Sequence, residues 1–149
     1  MTCGVYFGWA LIEGHSKGRN MPHKAVVNVG FSPTFEGQEN VEKVIEAHLI
    51  MEEGSLDPPD FYKEIMRLQL HGFVRPEMKF PSFPDLIAQI STDVENAKEA
   101  LDLDIYSRFR RDPFLVEVME DNVWVGESGG DKTASWEYED IESVVAKIK

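Results

Sequence analysis

Between Val5 and Val74 apolar and polar positions alternate in short runs, and after Ser82 the spacing changes to steps of three and four. The first part therefore predicts strands and the second opens on a helix. Val5 to Ile12 is rich in β-branched and aromatic residues and predicts a strand, with Gly8 marking a bend or a close backbone approach. Glu13 to Pro22 holds Gly14, Gly18 and Asn20 and reads as a loop. His23 to Phe31 predicts a second strand, and Ser32-Pro33-Thr34-Phe35-Glu36-Gly37 a turn. In Val44 to Met51 the alternation puts Val44, Glu46, His48 and Ile50 on one face and Ile45, Ala47, Leu49 and Met51 on the other. A helix beginning before Glu42 competes for the first half of that run. Glu52 to Pro59 is a polar, proline-ended loop. Lys63 to Val74 sets Met66, Leu68 and Leu70 against Arg67, Gln69 and His71, the pattern of a half-buried antiparallel strand.

Arg75 to Pro81 contains Pro76 and Pro81 and predicts a loop. Ser82 is then an N-cap, with Pro84 in the first turn and Asp85 three residues on in a capping-box arrangement. Leu86, Ile87, Ile90, Val94, Ala97 and Leu101 form one apolar stripe. Beyond Asp104 the pattern weakens. Phe114 to Val118 and Val123 to Val125 predict short strands flanking an Asp121-Asn122 turn. Gly126 to Lys132 predicts a flexible turn, and Ile141, Val144, Val145 and Ile148 a short closing helix. Short strands with turn signals and no alternating helices favour an antiparallel barrel over a doubly wound sheet.

A chain of 149 residues fits one domain with its own core. Its formal net charge of −12 weighs against a nucleic-acid backbone or an anionic membrane as the main partner. ATP stays open, because a basic group or Mg²⁺ reverses the sign locally. The single cysteine, Cys3, excludes an internal disulfide. No apolar run approaches the ~18 residues that span a bilayer. Met1-Thr2-Cys3-Gly4 shows no signal-peptide pattern, so a soluble cytoplasmic protein is expected.

No glycine-rich phosphate loop ending in Gly-Lys-Ser/Thr, GxGxxG, paired-cysteine or HExxH pattern is present. A carboxylate such as Glu46 on a half-buried strand is paired, hydrated or functional, unless its face is simply the solvent face. Arg75 is placed to clamp a phosphate or to pair with Glu77 or another surface acid. Thr34 offers a hydroxyl to a phosphate or metal, or to its own turn. Tyr6, Phe7, Trp9 and Phe35 are core or a stacking surface for a flat ligand. Asp93, Glu95, Glu99, Asp102 and Asp104 read as a solvated helix face.

Seven segments together resemble the riboflavin kinase family in order and spacing. They are Gly4-Val5-Tyr6-Phe7-Gly8-Trp9-Ala10, Val26-Val27-Asn28-Val29-Gly30 with Pro33-Thr34-Phe35, Glu46-Ala47-His48-Leu49, Asp60-Phe61-Tyr62, Gly72-Phe73-Val74-Arg75-Pro76-Glu77, Lys79-Phe80-Pro81-Ser82-Phe83, and Leu86-Ile87-Ala88-Gln89-Ile90 with Asp93. The likeness runs from about residue 4 to 102 and is nearer to the eukaryotic single-function kinases and plant-type fusions than to the bacterial fusions. It implies a mainly β fold: a six-stranded antiparallel Greek-key barrel over residues 1–104 with one long helix beside it, and an acidic extension over 105–149. Arg108, Arg110 and Arg111 sit inside that extension, a candidate cover for part of the surface.

The resemblance also implies transfer of the γ-phosphate of ATP to the 5′-hydroxyl of riboflavin, giving FMN with Mg²⁺ assistance (Zn²⁺ being the alternative). Glu46 matches the family's catalytic carboxylate. Asn28, Thr34, His48, Arg75 and Phe80 match segments near flavin and nucleotide, and Arg75 to Phe83 a loop closing over both. The helix from Pro84 lies beside the flavin. The family's glycine-rich loop and Pro-Thr-Ala-Asn motif, whose Thr and Asn hold the metal and the phosphates, precede the first matching segment and have no counterpart here. No metal ligand is therefore assigned. One barrel strand is expected to be missing with them. The expected explanation is a fragment or mis-started product of an ordinary kinase, with an upstream domain left open. The alternatives are a catalytically impaired flavin-binding remnant with an exposed edge, or a missing strand supplied by another chain.

Overall fold

In the computed structural model, residues 1–31, 43–52 and 60–117 are described throughout, together with the backbone of 119–120 and 123–124. The β-branched and aromatic runs form four strands: β1 (Gly4–Ile12), β2 (Pro22–Phe31), β3 (Lys43–Ile50) and β4 (Met66–Arg75). They pair antiparallel in the order β3-β2-β1-β4. Three neighbouring strands in sequence, with a fourth returning beside the first, make a Greek-key connection. Among the described residues the sheet has four strands with β3 and β4 at its edges, and closure into the expected barrel is not seen among them.

Each face of the sheet carries its own core. One face joins Ala10, Ile12, Ala25, Val27, Val29, Ala47 and Leu49, with Ile45, Met66, Leu68 and Leu70 against them. This matches the predicted alternation of β3 and β4. The other face presents Phe7, Trp9, Leu11 and Ile50 to the helices. Gly8 is a close approach, as its sequence predicts: a Cβ there would lie 1.9 Å from the Gln69 carbonyl oxygen. The β1–β4 register slips beside it, and again between Val5 and Tyr6. The slip beside Gly8 turns Val74 to the helical side, where His71 already lies by alternation with Arg67 and Gln69.

Helix α1 (Phe83–Asp102) starts where the capping pattern puts it. The Ser82 hydroxyl accepts from the Asp85 amide at 3.3 Å. Ala97 and Leu101 of the stripe are fully buried, whereas Ile87 near the N-terminus is exposed. Two expectations fail here. Asp93 is not on a solvated face but 2% exposed, because it lies three residues after Ile90 and four before Ala97, on the stripe itself. The polar row Arg67, Gln69, His71 does not face water, because the segment after α1 covers it.

That segment comprises α2 (Asp104–Ser107), a 3₁₀ turn (Arg108–Arg111) and α3 (Pro113–Val116). Leu115 is fully buried in the cluster of Phe7, Trp9 and Leu101. Trp9 Nε1 donates to the Tyr106 carbonyl at 3.0 Å. The buried Arg67 guanidinium pairs with Glu13 and donates to the carbonyls of Phe114, Leu115 and Glu117. The predicted strand at Phe114 is instead the short helix α3. Asp112 caps it, accepting from the Phe114 amide at 2.9 Å, and Pro113 fits its first turn. A two-stranded ribbon, β5 (Met119–Glu120) and β6 (Val123–Trp124), follows. The Ser32–Gly37 turn, most of the Glu52–Pro59 loop and everything expected after Trp124 lie outside the described residues.

Two further contacts fix the connections. Arg19 is buried against Glu64, with its Nε 2.5 Å from Oε2, and donates to the Asp60 carbonyl. Glu64 holds the Arg19 pKa up, and Arg19 holds the Glu64 carboxyl below its usual value; burial opposes both shifts. Lys63 takes a left-handed φ of 63° in this turn, so β4 starts at Met66 rather than at Lys63.

Candidate functional site

Register sets the site. Glu46 on β3 lies directly opposite Asn28 on β2, Asn28 opposite Val5 on β1, and Val5 opposite Arg75 on β4. Directly opposed residues of an antiparallel pair project to the same face, with Cβ atoms about 4.5–5.5 Å apart. Glu46, Asn28 and Arg75 therefore form one row on the helical face. His48 belongs to the neighbouring row on that face, opposite Val26. Both Glu46 and His48 are half-buried. Helix α1 packs over β1 and β2, so among the described residues β3 stands at the margin of the helical cover.

At the far end of the row, Arg75 does not pair with Glu77. Its Nε lies 3.0 Å from each oxygen of Asp93 and its Nη2 2.7 Å from Oδ2. Gln89 Nε2 donates to Asp93 Oδ1 at 3.0 Å. The guanidinium also lies 5.7 Å from the Phe80 ring centre, a cation–π contact. In this geometry Arg75 is committed to the helix and to the loop that follows β4, rather than poised as a free phosphate clamp. Glu77 is placed elsewhere: its Oε1 lies 2.0 Å from where a Cβ on Gly30 would sit, and Asn28 Nδ2 lies 3.7 Å from that point. Sequence reasoning missed this seat, because nothing in the spacing of Gly30 and Glu77 reports that they meet.

Of the predicted residues, the fold thus gathers Glu46, Asn28 and His48 at one margin, and Arg75 with Phe80 at the base of the adjoining loop. Thr34 lies outside the described residues. Of the predicted aromatics, Phe7 and Trp9 are core, and Tyr6 is half-buried with its hydroxyl donating to the Thr2 carbonyl at 2.7 Å. Among the described residues no three His, Cys, Asp or Glu side chains converge to hold a metal. The described donor set therefore does not fit an all-protein metal cage. No helix among them is long and apolar enough to cross a membrane.

Comparison with known proteins bears on this arrangement. A family model described as Flavokinase, riboflavin kinase, matches residues 1–101. The riboflavin kinase of Mus musculus is 37% identical over 115 residues, 77% of this chain and 66% of that protein. The bifunctional riboflavin kinase/FMN phosphatase of Arabidopsis thaliana is 40% identical over 114 residues, 76% of this chain and 27% of that protein. A solved riboflavin kinase from Trypanosoma brucei superposes with a TM-score of 0.56 at 20% identity, over 74% of this chain and 64% of that one. This last likeness concerns the fold. The chain thus spans from about a quarter to about two-thirds of the length of these relatives. With the family model covering residues 1–101, which include every strand of the main sheet and nearly all of α1, the chain belongs to the riboflavin kinase family.

Proposed function

We propose that this chain carries the phosphotransfer chemistry of a riboflavin kinase: the γ-phosphate of ATP passes to the 5′-hydroxyl of riboflavin, giving FMN and ADP. The observation that carries the reading is the cross-strand pair Glu46–Asn28 on the helical face, within the segment that the family model matches. A primary alcohol is a weak nucleophile, and attack needs alignment and an acceptor for its proton. Glu46 is the general base. It takes the hydroxyl proton as the alcohol oxygen bonds to the γ-phosphorus, and the bond from that phosphorus to the β–γ bridging oxygen breaks, its electron pair leaving with ADP. Asn28, opposite Glu46, supplies amide donors that orient the alcohol or a phosphate oxygen. His48, Thr34 and Phe80 complete the flavin and nucleotide contacts, and Arg75, paired with Asp93, supports Phe80 and its loop.

A divalent cation, Mg²⁺ or Zn²⁺, neutralises phosphate charge when bound. No described residues are assigned to it, and the steps given to this chain run through Glu46 and Asn28. Riboflavin, FMN, ATP and ADP are the small-molecule partners, and a further domain in the natural protein is part of the same reading, as is a cytoplasmic setting.

The test is FMN formation by the purified chain with riboflavin, ATP and Mg²⁺, alongside quenching of flavin fluorescence. Turnover with quenching supports the kinase. Quenching without FMN selects the catalytically impaired flavin-binding domain instead. Neither signal rejects both.

A further inference from the structure

The loop from Pro76 to Pro81 leaves β4 and enters α1 over the helical face, and it is tied down at two places. At its base Arg75 grips Asp93 on α1 and lies against Phe80. Further along, the Glu77 carboxylate occupies the space above Gly30 on β2 that any other residue would fill with its own side chain. The first tie joins the loop to the helix and the second joins it to the sheet.

The second tie has an address. Gly30 is two residues from Asn28 on the same strand and face, and Asn28 faces Glu46 across the β2–β3 pair. Asn28 Nδ2 and Glu77 Oε1 both reach the small volume above Gly30. The loop therefore ends its crossing beside the pair assigned to the chemistry. Glu77 is exposed overall, and only the tip of its side chain is seated.

We propose that Glu77 is a positioning residue: its carboxylate, seated on Gly30, latches the β4–α1 loop across the sheet beside Asn28 and so shapes the flavin side of the site. The inference rests on the kinase reading for the ligand, but the latch itself does not. Glycine is required at position 30 because a Cβ would expel the carboxylate tip. Gly30→Ala is thus a way to unseat Glu77 without removing its charge. Because the obstructing atom is the far end of a flexible side chain, the strand itself accommodates the methyl group.

The latch is read directly by limited trypsin digestion. Lys79 is exposed in the middle of the loop, and Arg75 precedes a proline, so Lys79–Phe80 is the one tryptic bond within it. Cleavage there follows the population of the open loop when opening is fast. The Glu77 carboxylate makes no hydrogen bond among the described residues, so the latch is a packing contact. Gly30→Ala and Glu77→Ala should each raise the rate of Lys79 cleavage about fourfold, as the loss of one methylene-sized contact implies. The double variant should be no faster than either single one, since both remove the same contact. In parallel, each variant should weaken riboflavin binding, measured by fluorescence quenching, while thermal unfolding stays near that of the parent chain. Glu77→Gln should restore much of the latch because its amide fills the same space above Gly30, whereas a role of bulk charge alone would leave it as open as Glu77→Ala.

Unchanged Lys79 cleavage in both single variants, or additive effects in the double variant, would overturn the latch. Faster cleavage with unaltered riboflavin affinity would overturn the positioning role. If the parent chain binds no riboflavin, the kinase reading and the positioning role fail together, and Lys79 cleavage still decides the latch.

Discussion

Replacing Asp93 by Ala removes three contacts at 2.7–3.0 Å from Arg75 and one at 3.0 Å from Gln89. It leaves a guanidinium whose side chain is 15% exposed without its counter-charge. Breaking a buried ion pair on one side costs about 3–5 kcal/mol, because the survivor stays desolvated. Arg75 reaches water with part of its head group, so the low end, about 3 kcal/mol, is expected. With a urea m-value of about 1.5 kcal/mol per M, the denaturation midpoint falls by about 2 M. Glu95→Ala is the control. Its pair with Lys98 has side chains 65% and 38% exposed, and its loss should cost less than about 0.5 kcal/mol. Replacing both Arg75 and Asp93 by Met and Leu should cost less than Asp93→Ala alone, since no charge is then stranded. Midpoints that fall equally for Asp93→Ala and Glu95→Ala would refute the reasoning.

Leu115→Ala opens a cavity in the cluster of Phe7, Trp9 and Leu101 and should cost about 2–5 kcal/mol in the same urea assay, showing that the segment after α1 belongs to the folded unit. Gly8→Ala drives a methyl group into the Gln69 carbonyl, where only backbone can yield, and should cost about 1–3 kcal/mol. His71 is packed against Phe109 and Tyr106, and its Nε2 has no partner among the described residues. Burial pushes its pKa below the usual histidine value, and Asp112 draws it partly back. The folded pKa lies under the unfolded one, so His71's contribution is intact above about pH 6.5 and is lost as the pH falls toward the folded value. His71→Phe should flatten urea midpoints measured between pH 7 and 5, and an unchanged slope would remove His71 as the cause.

What the sequence revealed was periodicity. The alternation in β3 and β4 and the capping of α1 gave element types and inward faces correctly, because local spacing determines them. Asp93 was legible too, since it stands on the apolar stripe, but an acid is ordinarily assigned to solvent. The polar face of β4 was misread for a different reason. Arg67, Gln69 and His71 look solvated until Tyr106, Phe109 and Leu115 arrive from a distant segment, and no local pattern reports a cover supplied 40 residues later. The Asp112-Pro113 start of α3 was a readable helix signal that the apolar Phe114–Val118 run obscured. At the site, the common face of Glu46 and His48 followed from alternation. Their alignment with Asn28 needed the register, and the meeting of Glu77 with Gly30 needed coordinates.

The central claim is that Glu46, at the margin of the sheet opposite Asn28, takes the proton of the riboflavin hydroxyl. Its most direct test measures riboflavin binding by fluorescence quenching and FMN formation with ATP and Mg²⁺ in the same preparations of the parent chain and Glu46→Gln. The account predicts similar binding and a loss of turnover of at least about 10²-fold, the ordinary contribution of a general base. Turnover in Glu46→Gln within a few-fold of the parent chain would contradict it.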